Sequence, residues 1–112
     1  MVKFMHLRSK RSDNPIGCIA YSLGEDNTVR YSVSIVNPEF DRFNKDKGRA
    51  IAADYLKTNS VVLSLANGYR LFDVIAAIME NLSNNNLFQL RAREVALKWV
   101  AYRKAALYDL SR

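Results

Sequence analysis

The sequence predicts an α+β fold: a small antiparallel β-sheet (β-β-β-α-β) followed by a C-terminal helical hairpin. Three observations carry that reading. Val29, Tyr31, Val33 and Ile35 alternate strictly with Arg30, Ser32 and Ser34, the period of a strand. Leu71, Ile75, Ile78 and Leu82 recur at helical spacing. Turn-forming residues, Gly24-Glu25-Asp26-Asn27 and Ser83-Asn84-Asn85-Asn86, punctuate the periodic segments.

In chain order, Val2, Phe4 and His6 alternate with Lys3, Met5 and Leu7, a first strand. The loop Ser9–Pro15 leads to Ile16–Leu23, an apolar run rich in strand formers. The Gly24–Asn27 turn, where Gly and Asn tolerate positive φ, joins it to the Val29–Ile35 strand as a hairpin. That third strand should bury one face and wet the other. Asn37-Pro38 then offers an N-cap and a first helical residue for a helix reaching about Thr58, with Phe43, Ala50, Ile51, Ala52, Tyr55 and Leu56. Gly48 inside it would cost about 1 kcal/mol relative to Ala, and implies close packing, a kink or a helix that begins near it. Ser60–Ala66 reads as a fourth strand with Val61, Leu63 and Leu65 on one side. Asn67 is placed to cap the next helix, whose Leu71 stripe is flanked by Phe72, Ala76 and Met79. Asn86 with Gln89 resembles a capping box opening a last helix to Leu110.

A chain of 112 residues with 49% hydrophobic composition fits one globular domain spanning residues 1–112. No apolar run approaches the roughly 20 residues that span a bilayer, and the N-terminus has no apolar core of a signal peptide. A lone cysteine, Cys18, permits no internal disulfide and suits a reducing cytoplasm, and with one histidine, His6, it makes no familiar zinc site. A net charge of +6 favours anionic or phosphate-bearing partners, or serves only as a soluble basic surface.

The last helix holds the most pointed residue. Phe88, Ala92, Val95, Ala96, Trp99, Ala106, Leu107 and Leu110 form an apolar stripe, and at about 100° per residue Arg103 projects from it. A guanidinium in such a place needs a partner. Either a carboxylate answers it, with Asp73, Glu80 and Asp109 the candidates, or an anionic ligand does. A second strip, Leu90, Leu97 and Ala101, lies opposite Trp99 and needs its own cover, either the monomer's own sheet and helix or a second copy of the chain.

Catalysis has little support. Cys18 reads as a core thiol and His6 as a strand residue with no local nucleophile. Asp41, Asp46 and Asp54 among Lys45, Lys47, Arg49 and Lys57 read as helical surface pairs. Neither GxGxxG nor a P-loop occurs. No enzyme, metal site or cofactor is therefore expected.

Binding has more. Arg91, Arg93, Lys98, Arg103, Lys104 and Arg112 load the last helix with cations, and guanidinium forks match phosphate oxygens. Phe72 and Met79 lie on the neighbouring helix, with Asn81, Asn84 and Asn85 toward its turn. A ring to stack a base, amides to read polar edges and arginines to neutralise phosphate together suit a nucleotide. The bland reading is a core Phe, a polar turn and a solvated basic face. Lys47 and Arg49 beside Gly48, with Arg42 and Lys45, form a second candidate anion site or a charged surface turn. Lys3, Arg8, Lys10 and Arg11 read as a solvated end.

The segment Ser34-Ile35-Val36-Asn37-Pro38-Glu39-Phe40-Asp41-Arg42-Phe43-Asn44-Lys45, followed by Gly48-Arg49-Ala50-Ile51-Ala52, resembles small accessory proteins of bacteriophages. With Phe72 and Arg103 on the hairpin, the chain is similar to the phage anti-Thoeris nucleotide-sponge family. That resemblance implies a small sheet plus helical hairpin assembled as dimers and hexamers. It also implies capture of cyclic ADP-ribose-type immune signals in the host cytoplasm, without catalysis. An aromatic of the first hairpin helix, an Asn near the turn and arginines of the last helix would hold the ligand, roles that Phe72, Asn81 and Arg103 fit in order. It further implies a separate pocket for cyclic oligonucleotides, which the Lys47–Arg49 region could serve. Trp99 stands one turn before Arg103, where a second arginine would complete a phosphate clamp, so Arg91 or Arg93 of another subunit would have to take that place. Two other functions fit the same residues. One is a basic nucleic-acid-binding regulator. The other is a phage protein–protein inhibitor of a host factor, or a structural phage component, using the spare apolar strip.

Overall fold

The computed structural model describes residues 1–8, 15–35 and 45–110, with side chains described at 1–8, 16–35 and 46–103. Asn37-Pro38 as a helix start, Asp41, Arg42, Phe43, Lys10, Arg11 and Arg112 lie outside the described residues, as do the side chains of Lys45, Lys104, Ala106, Leu107, Asp109 and Leu110. The elements run β1 (Lys3–Arg8), β2 (Pro15–Leu23), β3 (Thr28–Ile35), α1 (Lys45–Thr58), β4 (Val61–Ser64), α2 (Leu71–Asn84) and α3 (Leu90–Leu110). The sheet is antiparallel throughout, in the order β1-β2-β3-β4. The α+β class, the sheet and the C-terminal helical hairpin are as the sequence pattern indicates.

Helices cover both faces of the sheet. One face gives Leu7, Ile19, Tyr21, Val29, Tyr31 and Val33 to the main core, where they meet Val74, Ile78, Met79 and Leu82 of α2 and Ala92, Ala96 and Val100 of α3. The other face carries Cys18 and Ala20 beneath Ala52 and Leu56 of α1. The register pairs Cys18 with Ser34 and Ala20 with Ser32, so four small side chains lie side by side where α1 sits down. The Ser32 hydroxyl donates to the Ala52 carbonyl at 2.5 Å and the Ser34 hydroxyl to the Gly48 carbonyl at 2.9 Å. The expected wet face of β3 holds at Arg30, which is exposed, but not at the two serines, which are buried because their hydroxyls find acceptors on the helix that covers them. Gly48 lies in the first turn of the described helix, buried where its carbonyl meets Ser34, in keeping with close packing.

Local chemistry corrects several boundaries. The β2–β3 turn uses positive φ at Asp26 (59°) and Asn27 (57°), not at Gly24. Asn67 does not cap α2. Its side-chain oxygen accepts from the Asn27 amide, while Arg70 is the N-cap and its N–H donates to the Asp73 carboxylate at 2.8 Å. Gly68, at φ 75°, makes the bend that sets α2 back from Asn67. The buried stripe of α2 is Val74, Ala76, Ile78, Met79 and Leu82, whereas Leu71 is 56% exposed. The anticipated capping box of Asn86 and Gln89 does not form: α3 starts at Leu90, and the Asn86 oxygen accepts from Arg93 Nη1 at 3.2 Å. Among the described residues no helix is long and apolar enough to cross a membrane.

Candidate functional site

Antiparallel packing of the hairpin brings the start of α2 against the last described turns of α3. Phe72 is the second residue of α2, too near the sheet's margin to enter the core, and is 53% exposed. Trp99 and Arg103 are one turn apart on α3, the spacing at which side chains of a helix become neighbours. The Phe72 and Trp99 rings lie 6.1 Å apart at 49°. The Arg103 guanidinium carbon sits 4.2 Å from the Phe72 ring centroid and 5.8 Å from that of Trp99. Arg103 Nε is buried and has no hydrogen-bond partner among the described residues.

Magnitudes decide how to read this cluster. A cation–π contact at a partly exposed ring contributes about 0.5–1 kcal/mol. A buried donor with no acceptor costs about 1–3 kcal/mol. The rings alone do not offset the orphaned N–H. Asp73, the nearest acidic residue in sequence to Phe72, is committed to the α2 cap. Among the described residues, the partners of the Arg103 guanidinium are the two aromatic rings.

The remaining predicted ligand residues do not join it. Met79 is 4% exposed and packed in the core, so its place at a ligand edge is corrected. Asn81 lies nine positions after Phe72, about 13 Å along the helix. Its side-chain oxygen accepts from the Tyr31 hydroxyl at 2.6 Å and from the Asn85 amide at 3.2 Å. Asn85 Oδ1 accepts the Leu87 N–H at 3.0 Å. Phe88 stacks on Tyr31 with centroids 5.5 Å apart, and Arg93 Nε donates to the Phe88 carbonyl at 3.2 Å. Burial pushes the Tyr31 hydroxyl far above its ordinary pKa, so it stays a donor to Asn81. Asn81 and Asn85 thus tie the hairpin turn to the sheet. Arg91, at the start of α3, stands twelve positions from Arg103, about 18 Å along the axis. The helical spacing that puts Phe72, Asn81 and Arg103 on facing helices is silent about antiparallel direction, which separates the two ends.

Lys47 and Arg49 are exposed on α1, across the sheet from Arg103. Arg49 acts on Cys18, where burial raises the thiol pKa and the guanidinium opposes it in part. Cys18 is fully buried, an inert core thiol. Among the described residues no three His, Cys, Asp or Glu side chains converge as metal ligands would.

A cavity of about 360 Å³ opens beside the outer edge of β3, where β4 stops at Val61 opposite Tyr31. Ile51 and Tyr55 wall it on one side and Leu87 and Phe88 on the other, with Asn59 and Gln89 at its polar margin. Among the described residues its lining is neutral, with hydroxyls and amides as the polar groups. The anion-ready position is Arg103. The sequence pattern singled out Phe72 and Arg103, and placed Trp99 on the Arg103 stripe without giving it a part in the site. The i, i+4 relation of Trp99 to Arg103 was the signal for its part in the cluster.

Comparison with known protein families, with curated proteins and with solved structures finds no match to this chain.

Proposed function

We propose that this protein is a non-catalytic binder that captures a small nucleotide ligand at the Phe72–Trp99–Arg103 cluster. The observation that carries the reading is the Arg103 guanidinium, 4.2 Å from the Phe72 centroid with a buried Nε that has no hydrogen-bond partner among the described residues. A phosphate oxygen supplies the acceptor that the described residues do not. The sequence resemblance to phage nucleotide sponges narrows the ligand to a cyclic ADP-ribose-type or cyclic oligonucleotide immune signal, sequestered during infection of a host cell. Leu90 (59% exposed) and Leu97 (56%), with exposed Ala101 beside them, leave an apolar strip on α3 for a second copy, so the binder is read as a homo-oligomer.

Native mass spectrometry after incubation with cyclic ADP-ribose, ADP-ribose and a set of cyclic di- and trinucleotides tests this reading. It reports assembly and ligand mass together. A single stoichiometric adduct per site supports capture. The absence of any adduct across the panel contradicts it.

The net charge of +6 and the exposed Lys47, Arg49 and Lys57 on α1 favour a second reading, a nucleic-acid-binding regulator. Affinity for duplex DNA, single-stranded DNA or RNA would then fall steeply with salt through counterion release, whereas a pocket holding one or two phosphates responds weakly. A gel-shift series across salt separates the two.

A further inference from the structure

We infer that Phe72 is a positioning residue: its ring holds the Arg103 guanidinium, and the ligand meets the arginine rather than the ring face beneath it. The ligand arm of this inference rests on the nucleotide reading above, but its conformational arm does not. At 4.2 Å from centroid to guanidinium carbon, the two groups are in van der Waals contact, and no base fits between them. Trp99 is farther from the guanidinium, at 5.8 Å, and tilted by 49° to Phe72, so it buttresses the ring more than it holds the charge. Among the described residues the Phe72 and Trp99 rings are what the guanidinium rests on, and Nε is buried without an acceptor there. Without the Phe72 ring, the arginine would turn its N–H groups to water and lose the attitude in which it awaits an oxygen. Phe72 then raises affinity by pre-organisation, through a donor whose rotamer entropy is already lost and one of whose edges is already dry.

Two measurements test this. The first uses the free protein and follows the Arg103 Nε–H signal by ¹⁵N–¹H NMR in the unaltered chain, Phe72→Leu and Phe72→Tyr. The expected signal is ring-current shifted and slow to exchange with water. It should move to the position of a free arginine side chain in Phe72→Leu and return in Phe72→Tyr. An Arg103 signal unchanged by Phe72→Leu overturns the proposal. The second compares two probes, cyclic ADP-ribose and inorganic pyrophosphate, which has no base. Phe72→Leu should weaken both by the same factor, about 5- to 10-fold. A loss confined to cyclic ADP-ribose means the ring meets the base itself, and overturns the proposal. If neither probe binds the unaltered protein, the nucleotide reading fails, and the NMR comparison still decides the role of Phe72.

Discussion

A guanidinium resting on a phenyl ring beside an indole is a half-satisfied charge. The Arg103 head gains attraction from the ring faces and gives up one hydrogen bond at Nε. Its position was legible in the sequence, because 100° per residue places it on the Trp99 stripe whatever the fold does. The split of the ligand residues was not legible, since spacing along one helix carries no information on what the neighbouring helix presents. Tyr31 shows the same limit. Its alternation places it in the core, but nothing local reveals that its hydroxyl reaches Asn81, fifty positions away. Tyr31→Phe should therefore cost about 1–2 kcal/mol in urea unfolding, by leaving the Asn81 oxygen with one donor fewer. A loss below about 0.3 kcal/mol would show that this contact does not tie the turn to the sheet. Cys18 gives a pH prediction. Burial raises its pKa above that of a free thiol, so the unfolded chain releases its proton first and the folded state holds it. Stability should fall as pH rises above about 9, and Cys18→Ala should flatten that fall in a series of unfolding curves.

At the scale of elements, alternation and helical periodicity located every strand and helix, while capping and faces needed the third dimension. The Val-Arg-Tyr-Ser-Val-Ser-Ile pattern of β3 reads as half wet because serine is ambiguous. It is small enough to admit a helix and polar enough to face water, and here its hydroxyls bond to α1 carbonyls. In α2 the stripe read from the sequence shares Ile78 and Leu82 with the buried face, and the sheet's position decides that Val74 rather than Leu71 begins it. The choice is measurable. Met79→Ala should destabilise by about 2–5 kcal/mol, as a truncation in a packed core does. Leu71→Ala, at a side chain 56% exposed, should cost well under about 1 kcal/mol. Reversed magnitudes in chemical denaturation would mean that α2 is rotated about its axis. Gly17 adds a backbone constraint: a Cβ there would meet the Ser34 carbonyl oxygen at 2.5 Å, so Gly17→Ala should push β2 and β3 apart and lower the melting temperature.

At the scale of the molecule, the sheet lies between α1 and the α2–α3 hairpin, and the two candidate anion loci fall on opposite faces. Lys47 and Arg49 stand on one side and Arg103 on the other, so mutations at one should leave the other's ligand untouched. The exposed Leu90–Leu97–Ala101 strip is the counterpart at the surface. If it seats a second copy, Leu97→Glu should shift the protein to monomer in light scattering without lowering the monomer's helix content. An unchanged mass would place the interface elsewhere. The central claim is that Arg103 awaits an external negative charge, and calorimetric titration of cyclic ADP-ribose into the unaltered protein and Arg103→Ala tests it most directly. A charge-assisted contact of about 2–3 kcal/mol predicts an affinity loss on the order of 30- to 150-fold, with circular dichroism unchanged. Equal affinity in the two proteins would contradict the account.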